Sequence, residues 1–206
     1  NSIIIEAFTL NHGKYSGVVY GGSSRKQKKI FQTGNKILLN WKSKTENKIG
    51  YFNVELIKPV SPMFFDDKKK TICVLAATAI LRILLPERQI NKKIYLSFEK
   101  LITQFNNDNW IKLYILWELS LVKELGYEIR IPTKKNLSNA TDNSIEINGK
   151  FFKIPKLLLN TMSKTSSFPE VAEALSFNKN LIMENFITPN KITLPLSRNI
   201  LEKYFN

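Results

Sequence analysis

The sequence predicts an α+β chain, with strands first and helices after, on three observations. Four runs rich in β-branched and aromatic residues precede Val60, with turn-forming groups between them. Beyond Pro62, apolar residues recur at helical spacing. The chain has 206 residues, of which 43% are hydrophobic, enough to bury a core in one large or two small domains.

The predicted strands are Ile3 to Leu10, Lys14 to Tyr20, Ile37 to Lys42 and Ile49 to Ile57, parted by Asn11-His12-Gly13, a basic loop, and Thr45-Glu46-Asn47. Gly34-Asn35 adds a turn before the third. Four short strands argue for a small antiparallel sheet, which one more strand would close into a five-stranded barrel. The chain starts Asn-Ser-Ile without Met, and residues before it are expected to supply that strand.

Between the second and third strands lies Gly21-Gly22-Ser23-Ser24-Arg25-Lys26-Gln27-Lys28-Lys29. Four of the five residues from Arg25 to Lys29 are cationic, and Gly and Ser before them predict a flexible backbone. No acidic side chain occurs between Glu6 and Glu46. The run is either a solvated loop or a polyanion contact. Tyr15 and Tyr20 before it and Phe31 and Trp41 after it are either a stacking platform for unpaired bases or core.

Asp66 to Lys70 is a polar lead into the apolar stretch Ile72–Leu85, read as a buried helix that Pro86 ends. Ile94, Phe98, Leu101, Ile102 and Phe105 make the i, i+4, i+7, i+8, i+11 stripe of a second helix. A third starts at Asp108 as N-cap and stops at Gly126, and the three are expected to form a bundle. Asn148-Gly149 marks a hairpin, and Ser167-Phe-Pro-Glu170 a capping box opening a helix through Phe186, with a break on the way. Leu196, Ile200, Leu201 and Tyr204 mark a last short helix.

The formal net charge is +14, and residues 1–65 hold ten Lys/Arg against three Asp/Glu, so the excess is gathered around the basic loop. One cysteine, Cys73, excludes an internal disulfide and a cysteine-rich zinc site and suits a reducing cytoplasm. No signal peptide is read, and the apolar run Ile72–Leu81 is too short for a bilayer. Asn136 and Asn139 match a glycosylation pattern but read as loop residues.

Little in the chain suggests catalysis. The one histidine, His12, falls in a tight turn, Cys73 in an apolar helix, and Asp66 and Asp67 precede three lysines as a solvated helix entry does. Gly17, Gly21 and Gly22 lack the spacing of a phosphate-cradling loop. Arg82, inside an apolar helix, needs a partner. Glu118 and Glu124 are candidates, and the competing reading is a groove for an acidic, apolar peptide tail.

Several segments in order carry a resemblance: the Asn11-His12-Gly13 turn, Lys14 through Gly22, the basic loop, Phe31-Gln32-Thr33-Gly34-Asn35 leading to Trp41, Leu84 through Arg88, Trp117-Glu118-Leu119 and Glu124 through Tyr127, and Leu194-Pro195. On these, the chain resembles the bacterial recombination mediator family RecO over nearly its whole length. The resemblance implies an N-terminal oligonucleotide-binding (OB-fold) β-barrel, residues 1–62, its first strand missing, and a mainly α-helical domain, residues 63–206. It also implies binding of single- and double-stranded DNA, strand annealing, contact with the C-terminal tail of single-strand-binding protein (SSB), and loading of recombinase with RecR, in the bacterial cytoplasm at the nucleoid. Many relatives carry four cysteines that bind zinc, whereas the segment 131–156 has none. No zinc or other cofactor is expected there, and the hairpin stands in that place.

The expectation is therefore a DNA-binding and annealing mediator without enzymatic activity. Arg25, Lys26, Lys28 and Lys29 are the phosphate contacts, with Lys14, Lys36, Lys42 and Lys44 as further members. Tyr20 and Trp41 are the stacking residues. The alternative is a protein-binding scaffold that takes the SSB tail at Arg82, Arg88 and Lys112, with DNA binding secondary. A nuclease would need metal-dependent cleavage, for which the sequence supplies little.

Overall fold

Strand β1 (Ser2–Thr9) and strand β2 (Gly13–Tyr20) form a hairpin whose register runs from Ser2↔Tyr20 to Thr9↔Gly13. Strands β3 (Lys36–Lys42) and β4 (Gly50–Lys58) pair antiparallel, and β4 meets β2 in parallel at Gly17↔Gly50 and Val18↔Tyr51. The sheet order β1-β2-β4-β3, with one parallel pair inside, is that of an oligonucleotide-binding barrel less one strand. Among the described residues no fifth strand joins it, so β1 and β3 are its edges. The structure is a computed structural model, and it describes residues 1–45, 49–127, 129, 144–159 and 166–206.

Residues opposite one another across a ladder share a face, and alternate residues change face. Val19 and Phe52, both buried, lie on one side with Tyr15, Trp41 and Leu39. Two glycines give those rings room. A Cβ on Gly17 would stand 2.5 Å from the Phe52 ring, and one on Gly50 2.5 Å from the Trp41 ring. The other side carries exposed Ile4, Tyr20 and Leu38.

The basic segment is not a flexible loop. Residues Arg25–Lys28 form a helical turn, α1, with Ser24 at its N-cap accepting from Gln27 N–H. Lys, Arg and Gln form helix readily once such a cap is in place, an option hidden by the preceding glycines. Asn35 holds the exit of this segment. Its amide donates to Lys29 O and Ile30 O, each at 3.1 Å, and accepts from Val60 N–H at 2.8 Å and Ser61 N–H at 3.2 Å.

Helix α2 (Lys68–Leu84) starts earlier than the apolar run suggests, because Asp67 caps it by accepting from Lys69 and Lys70 N–H. The three lysines are thus its first turn. It buries Cys73, Val74, Ala76, Ala77, Ile80 and Leu81 but leaves Leu75 and Arg82 exposed, so it is amphipathic and not buried all round. Helix α3 (Lys92–Thr103) buries Ile94, Leu101 and Ile102. Helix α4 (Trp110–Glu124) has Asn109 at its N-cap, not Asp108. Gly126 stops it at φ +100°.

Two compact units emerge, Asn1–Phe105 and Asn106–Asn206. Helices α2 and α3 belong with the sheet and α4 with the later helices, so the expected three-helix bundle does not form one unit. The change of composition near residue 62 is a change of secondary structure within the first unit.

In the second unit the hairpin of β5 (Ser144–Ile147) and β6 (Lys150–Lys153) turns at Asn148 and Gly149, both at positive φ. Asn136, Asn139 and half of the cysteine-free segment fall outside the described residues, as does most of the Thr45-Glu46-Asn47 turn. A short helix α5 (Lys156–Leu159) precedes α6 (Phe168–Ile182), which opens on the Ser167–Glu170 capping box. The predicted break is a π-helical turn, Met183–Ile187. Helix α7 (Leu196–Lys203), the expected last short helix, buries Arg198, Leu201 and Glu202 and leaves Leu196 and Tyr204 exposed.

Arg198 is fully buried. It donates from Nε to Glu118 Oε1 at 2.6 Å, and from Nη2 to Glu118 Oε2 at 3.0 Å and Leu175 O at 2.6 Å. Tyr114 Oη donates to Glu118 Oε1 at 2.8 Å. Burial is the largest single influence and would lower the guanidinium pKa, but the charge and hydrogen bond of Glu118, together with Tyr114 and Glu202, outweigh it and hold the pKa above its ordinary value.

Candidate nucleic-acid interface

Turn α1 presents Arg25, Lys26, Lys28 and Lys29, all exposed, and none forms an ion pair among the described residues. Two segments position it. Strand β2 ends at Tyr20 just before it, and the Asn35 amide fixes its exit to the end of β4. Four cations within one turn, unneutralised, are a fixed site of positive potential in place of a diffuse one.

Lys42 and Lys44 are likewise exposed, at the end of β3 and just beyond it. Lys36, at the start of β3, is not free. It hydrogen-bonds Glu99 of α3, and that bond and the Glu99 charge raise its pKa. Across the ladder from it stands exposed Lys58, which the sequence reading did not single out. Lys14 is half-buried, its Nζ donating to Arg82 O at 2.5 Å.

The two expected stacking residues part company. Tyr20 is 71% exposed and stands on the outer face of the sheet. Trp41 is on the core-facing side, edge-on to Tyr15 at 5.3 Å. The Arg88 guanidinium lies 5.4 Å from the centre of the Tyr15 ring and 5.5 Å from that of Trp41. Trp41 and Tyr15, both half-buried, stand on the side of the sheet that buried Val19 and Phe52 occupy. The outward aromatic that the sequence reading missed is Tyr51, opposite Lys42 on β4. Its neighbour Phe52 is buried, and only the register decides which of the two faces out.

The proposed peptide-binding cations have different surroundings. Arg82 is exposed and pairs with Glu6 of β1, Nη2 to Oε1 at 2.9 Å and Nε to Oε1 at 3.0 Å, not with Glu118 or Glu124. Arg88 is at φ +60°, its N–H donating to Lys14 O at 2.8 Å, and its guanidinium caps the two rings. Lys112 lies in the second unit and is only 6% exposed, too covered to meet a peptide carboxylate as the chain stands.

His12 lies in the β1–β2 turn with its N–H on Thr9 Oγ1, and Cys73 is fully buried in α2. Among the described residues no three His, Cys, Asp or Glu side chains gather as metal ligands, and no helix is long and apolar enough to cross a membrane.

The topology and the cationic turn define an α+β protein whose N-terminal sheet is of the oligonucleotide-binding type. A family model described as recombination protein O N terminal matches residues 1–60, and one described as recombination protein O C terminal matches residues 66–132. The "DNA repair protein RecO" of Roseobacter denitrificans is 34% identical over 132 residues, 64% of this chain and 55% of that protein. That of Rickettsia peacockii is 33% identical over 150 residues, 73% of this chain and 62% of that protein. That of Cereibacter sphaeroides is 33% identical over 127 residues, 62% and 53%. The matches span little more than half the length of these curated relatives. The chain belongs to the RecO family.

Proposed function

We propose that this chain is a DNA-binding mediator of recombinational repair that works by binding, without a catalytic step of its own. The observation that carries the reading is the α1 turn, whose four exposed, unpaired cations sit beside a sheet of oligonucleotide-binding topology. Phosphates are the matching partner, and Lys42 and Lys44 continue the charge at the far end of β3. Family membership extends the proposal to annealing of complementary strands, to loading of recombinase on SSB-coated DNA together with RecR, and to the bacterial cytoplasm as the place of action.

The test is annealing of two complementary oligonucleotides, bare and coated with SSB, alongside a salt titration of single-strand affinity. The chain should accelerate annealing, and log affinity should fall with log salt at about −0.7 per phosphate contact. The double variant Lys28→Glu/Lys29→Glu should weaken binding to all sequences alike and flatten that slope, because phosphate contacts position the strand without reading it. An unchanged slope would remove α1 from the site.

The scaffold reading, with Arg82, Arg88 and Lys112 receiving the SSB tail, draws less support. Arg82 is engaged by Glu6 and Lys112 is covered.

A further inference from the structure

The outer face of the sheet carries a feature that cations alone do not explain. Ser2↔Tyr20, Ile4↔Val18, Val18↔Tyr51 and Lys42↔Tyr51 are opposed pairs, so Ile4, Val18, Tyr20, Tyr51 and Lys42 all stand on one side of three adjoining strands and the edge strand β3. Tyr20 is 71% and Ile4 67% exposed. The Tyr20 and Tyr51 ring centres are 6.0 Å apart with planes tilted by 52°. Tyr20, at the end of β2, faces solvent and Tyr51 beside it is half-buried, so the pair leaves apolar surface in water that burial would favour covering.

Resting on the DNA-binding reading above, we propose that Tyr20 and Tyr51 form a stacking site for unpaired bases, with Lys42 at its border to take a phosphate. Charge argues for this occupant. The chain leaves Tyr20 and within a few residues enters the α1 turn with its four unpaired cations, and exposed Lys42 lies directly across from Tyr51. Spacing argues for single strands. Bases in a duplex strand rise roughly 3.4 Å apart, whereas ring centres 6.0 Å apart and tilted suit neighbouring bases already separated from one another. Tyr15 and Trp41 do not compete for the role, since Arg88 covers both. Because every base has a π face, the site adds affinity for single strands with little sequence preference.

The experiment compares the full chain's affinity for a short oligo-dT with that for an abasic strand of equal length, which keeps the phosphates and lacks the bases. The wild type should bind oligo-dT about tenfold or more tightly than the abasic strand. Tyr20→Leu and Tyr51→Leu should each lose most of that difference, while Tyr51→Phe keeps it and abasic affinity and salt slope stay unchanged. Upfield shifts of thymine methyl protons in the wild-type complex give a readout that needs no variant. Equal affinity of the wild type for both strands, or equal weakening of both by the Leu variants, would overturn the stacking site and leave DNA binding standing. Binding to neither strand would overturn the DNA-binding reading and the stacking site with it.

Discussion

At the scale of single residues, the Arg198–Glu118 pair dominates the second unit. Both side chains are fully buried and share two hydrogen bonds, while Arg198 Nη1 stands 3.6 Å from Glu202 Oε2. Removing one partner leaves the other as an uncompensated charge, a situation that costs about 3–5 kcal/mol. Arg198→Met should therefore lower the denaturant midpoint by a corresponding amount, and adding Glu118→Leu should recover much of it, read by chemical denaturation. This pair was illegible in the sequence for a physical reason. The partners are 80 residues apart, and Arg and Glu are ordinarily surface residues. A signal existed: Leu194, Arg198, Leu201, Glu202 and Phe205 are the buried positions of a helical stripe, with the two charges inside it. Tyr51 was hidden for a different reason. Tyr51 and Phe52 are aromatic neighbours, and which one faces solvent depends on pairing with β2 and β3.

At the scale of elements, local chemistry was readable and its consequences can be tested. The α6 capping box was legible because all its parts lie within one turn. Glu170 accepts from the Ser167 N–H at 2.9 Å. That bond, and the one from the Ser167 hydroxyl, lower the Glu170 pKa. A carboxyl whose pKa is lower folded than unfolded contributes fully above the unfolded value and loses its contribution as pH falls through the folded value. The start of α6 should loosen across that acid window. Glu170→Ala should remove this part of the pH dependence, followed through the Ser167 amide resonance in NMR titrations. The hairpin at Asn148-Gly149 was readable in the same way, since positive φ at both turn residues is a local demand. By contrast, the basic run was misjudged as a flexible loop because its order comes from two sources of different range. The Ser24 cap is local, whereas the grip of Asn35 reaches to Val60 and Ser61.

At the scale of the whole molecule, the strand-then-helix plan was visible in composition and periodicity, but its grouping was not. Helices α2 and α3 fall within the matched C-terminal family model and yet belong to the compact unit of the sheet. Their ties to it are long-range: Arg82 to Glu6, Phe8 to Tyr95 at 5.5 Å, and Lys36 to Glu99. Spacing within a helix shows which face is apolar, not which element covers it. The buried thiol of Cys73 on α2 offers a probe of that unit. A thiol reagent should label Cys73 slowly under native conditions and rapidly across the unfolding transition of the first unit, measured by mass spectrometry along a denaturant series.

The Asn35 amide has a mechanical consequence. It uses both of its donors and both acceptor lone pairs at once, two bonds on each side of the gap it spans. A strand gripped by α1 would thus pull on a frame and not on a tether. The load would pass through one side chain into the junction where the sheet gives way to its first long helix.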